Sequence, residues 1–166
     1  MFFSGSNKTA RMGYQPIYAS EDEAKQVTYM EPQDMKNQGK IYVKGDYIYI
    51  GDIGLGVHVI DNTNPENPQK IGFLRIYGNR DIAIKGYFLY ADNFEDLITI
   101  DISNLNNPDI SKRIEDVYEY EGVYYPPNVP AGTYFECVDE SEGYVIGWRE
   151  IESDSFNCFT TDYWGW

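Results

Sequence analysis

The sequence predicts an all-β fold: two consecutive four-stranded antiparallel blades of the propeller type, an incomplete propeller, with a short N-terminal helix before them and a C-terminal hairpin extension after them. Three observations lead there. From residue 39 onward, short β-branched and aromatic runs alternate with Gly-, Asp- and Asn-rich turns, the pattern of consecutive antiparallel strands. That pattern recurs about forty residues later, and a period near forty with four strands per unit is the signature of a propeller blade. Hydrophobic residues make up 42% of the chain and aromatics 16%, with 16 tyrosines, which suits half-buried pleated surfaces and excludes a disordered acidic chain.

The elements follow in order. Residues 1–38 form an N-terminal segment in which Ser20-Glu21-Asp22-Glu23 reads as a capping box, predicting a helix from Glu21 to about Val27. Its acidic residues stand at the positive end of the helix dipole. Pro32, Asn37 and Gly39 then break the chain. Residues 39–117 hold the two repeats. In the first, Ile41-Tyr42-Val43, Tyr47-Ile48-Tyr49-Ile50, Val57-His58-Val59-Ile60-Asp61 and Ile71 to Ile76 are the strands, with the Pro-rich loop Asn62 to Pro68 before the last. In the second, Ile82-Ala83-Ile84 with Lys85-Gly86 repeats Ile41-Tyr42-Val43 with Lys44-Gly45 at an offset of 41. Leu97-Ile98-Thr99-Ile100-Asp101 repeats Val57 to Asp61 at an offset of 40, so one residue slips in a hairpin turn. The alternating apolar positions Tyr47, Tyr49, Val57 and Val59 are expected to face neighbouring blades. Residues 118–166 are a Pro/Tyr-rich loop and a β extension: Tyr124-Tyr125-Pro126-Pro127, then a hairpin-like pair from Tyr134 to Val138 and Tyr144 to Ile151, then the aromatic tail Tyr163-Trp164-Gly165-Trp166. These aromatics are expected to cover an apolar end of the repeats, a stacking surface for sugar or protein being the alternative.

Bulk properties limit the function. A chain of 166 residues suits one ordinary domain. Thirteen basic residues against 27 acidic ones give a net charge of −14, and no Lys/Arg cluster offsets it, so nucleic acid and anionic lipid are not expected partners. The start, Met1 to Lys8, has after Met1 two apolar residues, Phe2 and Phe3, where a secretory signal needs an apolar stretch of roughly 7 to 15, and no run approaches the roughly 18 residues of a membrane helix. Cys137 and Cys158 are the only cysteines. In an oxidising compartment they are expected to form a disulfide closing one loop; in a reducing one they are two free thiols.

No reaction is legible. Asp61 and Asp101 each end a strand before a Thr/Ser-Asn turn, where a carboxylate accepts backbone N–H bonds and fixes the bend, so both are expected to be structural. His58 is the only histidine and lies mid-strand, so a His-dependent triad is limited to it and a zinc site could draw only on it, the two cysteines and carboxylates; it is expected to be a strand or sheet-face residue. Gly51-Asp52-Ile53-Gly54-Leu55-Gly56 is glycine-rich but joins two strands, and neither a phosphate loop nor a dinucleotide fingerprint nor a nucleophile elbow is present. The acidic clusters Asp92-Asn93-Phe94-Glu95-Asp96 and Asp139-Glu140-Ser141-Glu142 offer oxygens of the kind calcium takes, yet lack the spacing of a calcium loop, so solvated hairpin tips are expected, with no cofactor and no metal.

The pentapeptides ending in Asp61 and Asp101, each followed by a Thr/Ser-Asn turn and a Pro, resemble the LVIVD repeat, a blade-type repeat of bacterial cell-surface proteins. Tyr14-Gln15-Pro16-Ile17-Tyr18, Tyr134 to Cys137 and Gly143 to Trp148 resemble the flanks of such proteins, so the resemblance spans Tyr14 to Cys158. Leu105 replaces Pro65 in the second copy, a departure confined to the loop. Roughly four to eight blades close a propeller, and members of the family carry further blades and a lipoprotein signal. The resemblance therefore implies an N-terminal portion or truncated member, or a chain that self-associates through open blade edges. It also implies a non-enzymatic cell-envelope or surface module that binds protein or glycan through its loops. The alternative is a carboxylate-dependent hydrolase or lyase acting on an extracellular polymer.

Overall fold

The computed structural model describes residues 9–105, 107–120 and 122–161. Met1–Lys8 and Tyr163–Trp166, and with them the aromatic tail, lie outside the described residues. The chain opens with β1 (Arg11–Ala19), a single turn α1 (Glu21–Ala24) and the short β2 (Thr28–Met30). The first repeat comprises β3 (Gln38–Lys44), β4 (Tyr47–Asp52), β5 (Gly56–Asp61) and β6 (Gln69–Arg75). The second comprises β7 (Ile82–Lys85), β8 (Phe88–Asn93), β9 (Asp96–Asp101) and β10 (Asp109–Ile114). Then follow β11 (Tyr134–Phe135), a 3-10 turn (Glu140–Glu142), β12 (Tyr144–Ser153) and β13 (Cys158–Phe159). The chain divides into two units, Asp22–Glu121 and Met1–Glu21 with Gly122–Trp166.

The repeat unit, residues 22–121, holds two antiparallel sheets. The second repeat is a four-stranded meander, and the first is the same meander with β2 added beside β6, making five strands rather than four. The two copies agree in detail. Each has a two-residue first hairpin, Lys44 pairing with Tyr47 and Lys85 with Phe88. Each skips one residue of its last strand, Ile71 in β6 and Ser111 in β10. The slip of one residue falls in the second hairpin, where Asp52 and Gly56 enclose three residues but Asn93 and Asp96 enclose two. Gly56 is forced by its setting, because a Cβ there would overlap the Leu74 carbonyl and its φ is 148°. Tyr49, Val57, Val59, Leu74 and Ile76 of the first repeat share one core with Ile82, Leu89, Ala91, Ile98, Ile100 and Ile102 of the second. Tyr47 packs on its margin, so all four apolar positions singled out in β4 and β5 face the other sheet.

The helix is shorter than the capping box implied, ending at Ala24 rather than about Val27. Tertiary contacts stop it: Asn93 Nδ2 donates to the Ala24 carbonyl at 3.1 Å and Arg113 Nη2 to the Lys25 carbonyl at 2.6 Å. Side chains of the second repeat thus satisfy the carbonyls that a helix end leaves open. The following residues are drawn into β2, whose Thr28 to Met30 pair with Arg75 to Phe73.

The other unit corrects one expectation. Tyr134–Val138 and Tyr144–Ile151 do not form a hairpin; β1 lies between β12 and β11, in the order β12-β1-β11-β13. Nine residues of β1 run antiparallel to β12, from Arg11 opposite Ser153 to Ala19 opposite Tyr144. A local hairpin would need its turn at residues 139–143, but Asp139 there caps the 3-10 turn, accepting from Ser141 N at 3.0 Å. The parallel β1–β11 ladder is brief, and Pro16 has no N–H with which to prolong it. Among the described residues, those up to Glu21 group with the C-terminal strands and those from Asp22 with the repeats.

Candidate functional site

Within the repeat unit, a cleft of about 770 Å³ opens where the first hairpin of each repeat meets the loop after β9. Its walls carry Tyr29, Tyr47, Tyr49 and Tyr87, with Glu31, Lys44, Asp46, Ser103 and Asn104 as polar groups. Local sequence explains how the tyrosines converge. Tyr47 and Tyr49 stand two apart on β4, so the pleat turns both to one face. Tyr29 comes from β2 and lies over Gly72, where any Cβ would collide with its ring; its hydroxyl donates to the Ile71 carbonyl at 3.3 Å. Gly45 and Gly86, at φ 55° and 61°, turn the two hairpins and place Asp46 and Tyr87 at matching positions. Lys44 Nζ sits 5.2 Å from the centroid of the Tyr87 ring, a cation–π contact.

Burial, helped by the nearby Tyr47 and Tyr29, pushes the Tyr49 phenol up to about 12, and burial followed by Glu31 raises that of Tyr29. Both stay protonated at neutral pH, so the cleft keeps phenol O–H groups beside apolar ring faces.

Asp61 and Asp101 hold the rims. Asp61 Oδ1 accepts from Thr63 N at 2.8 Å, and Asp101 Oδ1 from Ser103 N at the same distance. The next residue in each copy ties its loop to the first hairpin: Asn62 N donates to the Asp46 carbonyl at 2.7 Å, and Ile102 N to the Tyr87 carbonyl at 2.9 Å. These bonds lower both carboxyl pKa values, the Thr63 side chain contributing most at Asp61 and the Ser103 backbone N–H most at Asp101. A carboxylate lowered by folding adds stability above its unfolded value of about 4, and that stability is lost as pH falls through the folded value. The Tm is thus expected to fall between pH 5 and pH 2, and Asp61→Asn with Asp101→Asn to flatten that acid limb in part, read by circular dichroism. An acid limb as steep as in the parent would refute the assignment.

The first acidic cluster is not a solvated hairpin tip. Asn93 and Asp96 are fully buried, and Glu95 nearly so. Asp92 Oδ1 accepts from the N–H groups of Arg80 at 2.9 Å and Asp81 at 2.8 Å, fixing the entry to β7. Asp96 pairs with Arg113 at 2.6 Å and with Lys25 at 3.2 Å, and Glu95 with Lys25 at 3.0 Å. Burial disfavours the Asp96 carboxylate, but Arg113, the Asp116 N–H and Lys25 outweigh it and hold its pKa below the usual range. Oxygens of Glu95, Asp96 and Asp116 lie within 4.8 Å of one another, a donor set a hard cation could use, but Lys25 and Arg113 already meet its charge. Residues 22–25 pack against this hairpin, a contact with no local sequence signal. The second cluster is the exposed, Asp139-capped 3-10 turn.

His58 lies in β5, 1% exposed, with Nε2 2.9 Å from Asp52 Oδ2 and its ring 4.8 Å from that of Phe73. Asp52 also accepts from the N–H groups of Lys36 at 2.9 Å and Asn37 at 2.7 Å, so the pair anchors the segment before β3 and is closed to substrate. Gly51 to Gly56 form the second hairpin of the first repeat. Cys137 and Cys158 are joined by a disulfide, their Cα atoms 5.2 Å apart. Of the cleft residues, the sequence places Tyr47 and Tyr49 in the core and Lys44, Gly45, Ser103, Asn104 and Leu105 in turns or loops; Tyr29, Glu31 and Tyr87 are brought to them by tertiary pairing.

Fold and cleft together define an all-β protein of tandem four-stranded repeats with a tyrosine-walled groove between them. The LVIVD repeat family model matches residues 37–73 and 78–116, the two meanders, and the chain is an LVIVD-repeat protein. No curated protein and no solved structure matches the chain. No helix among the described residues is long and apolar enough to cross a membrane.

Proposed function

We propose that this chain is a non-enzymatic module of the bacterial cell envelope or surface, its two repeats acting as propeller-type blades that bind a glycan in the cleft between them. The tyrosine-walled cleft carries this reading. Its volume suits a small-molecule or oligosaccharide segment. Its ring faces provide stacking surfaces, while Glu31, Asp46 and Asn104 supply acceptors and an amide for hydroxyl groups. The net charge of −14 favours a neutral or cationic ligand over an anionic one.

Titrating the protein with chitotetraose, cellotetraose and an oligomannose, followed by amide shifts in NMR spectra, tests it. At least one is expected to bind saturably, shifting residues around Tyr47, Tyr87 and Asn104. Tyr87→Ala, at a side chain 65% exposed and so tolerant of change, is expected to weaken binding about tenfold or more. Absence of binding by all three at millimolar concentration, or binding indifferent to Tyr87→Ala, would refute the glycan reading. Appearance of cleaved sugar would refute the non-enzymatic one and direct attention to Glu31 and Asp46.

A further inference from the structure

Two carboxylates of the tyrosine-walled cleft are not used by the fold. Glu31, just after β2, and Asp46, in the turn between β3 and β4, both line it and are exposed. Their fixed contacts run through the backbone: the Glu31 carbonyl accepts from Gln33 Nε2 at 2.9 Å and the Asp46 carbonyl from Asn62 N at 2.7 Å. Among the described residues neither carboxylate accepts a hydrogen bond or joins an ion pair. Asp52, Asp61, Asp92, Asp96 and Asp101, by contrast, each accept backbone N–H groups that hold strands or loops in place. Solvated acids elsewhere also lack partners, but Glu31 and Asp46 do so against aromatic walls.

The cleft's own cation does not neutralise them. Among the described residues Lys44 is the only basic side chain lining it, and its ammonium lies on the Tyr87 ring, 5.2 Å from the centroid. The lining side chains therefore carry one negative charge in excess, and one of their rings already seats an ammonium group. Glu31 also stands close enough to the phenols to act on them: burial first, then Glu31 and Tyr47, raise the Tyr29 pKa. Charge of one sign between low-dielectric walls draws in the opposite sign, and the overall −14 acts in the same sense.

We propose that the glycan of this cleft is built of amino sugars with free amines, whose ammonium groups meet the Glu31 and Asp46 carboxylates while the sugar rings stack on the tyrosines. The inference rests on the glycan reading and adds the chemical class of the sugar. An N-acetylated sugar offers the same ring faces without the charge, so the two carboxylates set the choice between the two forms. Neutral amides at positions 31 and 46 would accept hydrogen bonds from sugar hydroxyls as well as carboxylates do; an ammonium tells the two apart by charge.

Calorimetric titration with β-1,4-linked tetraglucosamine and with chitotetraose, its N-acetylated counterpart, provides the test, at about pH 6 where both carboxylates are ionised. Tetraglucosamine is expected to bind about fivefold or more tightly in low salt, an advantage that shrinks as salt is added. Glu31→Gln with Asp46→Asn is expected to bring the two affinities together. Both positions are exposed and Asn suits the hairpin turn, so unchanged circular dichroism is expected. Asp22→Asn with Glu115→Gln removes the same charge from exposed positions outside the cleft and is expected to keep the preference. Equal affinity of the parent chain for the two sugars would overturn this inference and leave the glycan reading standing. A preference that survives Glu31→Gln with Asp46→Asn, or that is lost equally in the Asp22 and Glu115 variant, would overturn it as well. If no neutral sugar binds, the glycan reading falls and this inference with it, even with tetraglucosamine bound, because the cleft would then recognise charge alone.

Discussion

Replacing Ile100 by Ala is expected to remove about 2–5 kcal/mol of stability, the cost of deleting a fully buried branched side chain and leaving a cavity. Ile100 stands in β9 between Leu89 and Ile110, in the core that both repeats share. Because neither sheet covers its inner face without the other, urea unfolding monitored at several probes within residues 22–121 should move to lower denaturant as one transition. Ile60 is an internal control, being the same position in the first repeat but only partly buried. Ile60→Ala at low protein concentration is expected to cost less than half as much. Equal costs would mean that Ile60 and Ile100 are equally covered within one chain, against the full burial of Ile100 and the partial exposure of Ile60.

Loss of the Cys137–Cys158 bond is expected to cost the unit containing it about 3 kcal/mol, since the bridge closes a loop with a sequence separation of 21. That unit has little else to rely on. Among its described residues the buried hydrophobics are Ala19, Phe135 and Val145, with Phe135 edge-on to Trp148 at 5.7 Å between ring centroids. A core this small benefits most from a covalent tie. Cys137→Ser with Cys158→Ser, or a reductant on the parent chain, should lower the unfolding midpoint reported by near-ultraviolet dichroism of the aromatics, while the repeat core melts near its former temperature. An unchanged first transition would show that strand pairing between β1 and β12 suffices without the bond.

The two repeats were legible because their information is local and doubled. Period-2 alternation in Tyr47 to Ile50 and Val57 to Asp61, glycines after Lys44 and Lys85, and an Asp before each Thr/Ser-Asn turn specify strand, hairpin and bend within a few residues, and the second copy confirms the first. Even the slip from 41 to 40 was visible, though not which hairpin held it.

What the tertiary structure alone decided involves partners distant in the chain. Nothing near Tyr14 announces that β1 will pair with β12 some 130 residues on, displacing the hairpin that Tyr134 to Ile151 suggested. Nothing near Lys25 announces Asn93 and Arg113, which end the helix early, or Glu95 and Asp96, whose pairing with Lys25 and Arg113 turns an acidic run into a buried ion network. The cleft is of the same kind: tyrosines from β2, β4 and the second repeat become neighbours only once the sheets stack. Local propensity and repeat pattern therefore determined which strands exist and how each meander runs. Long-range pairing, whose energy lies in contacts that local sequence does not encode, decided which strand each edge takes and which side chains share a groove.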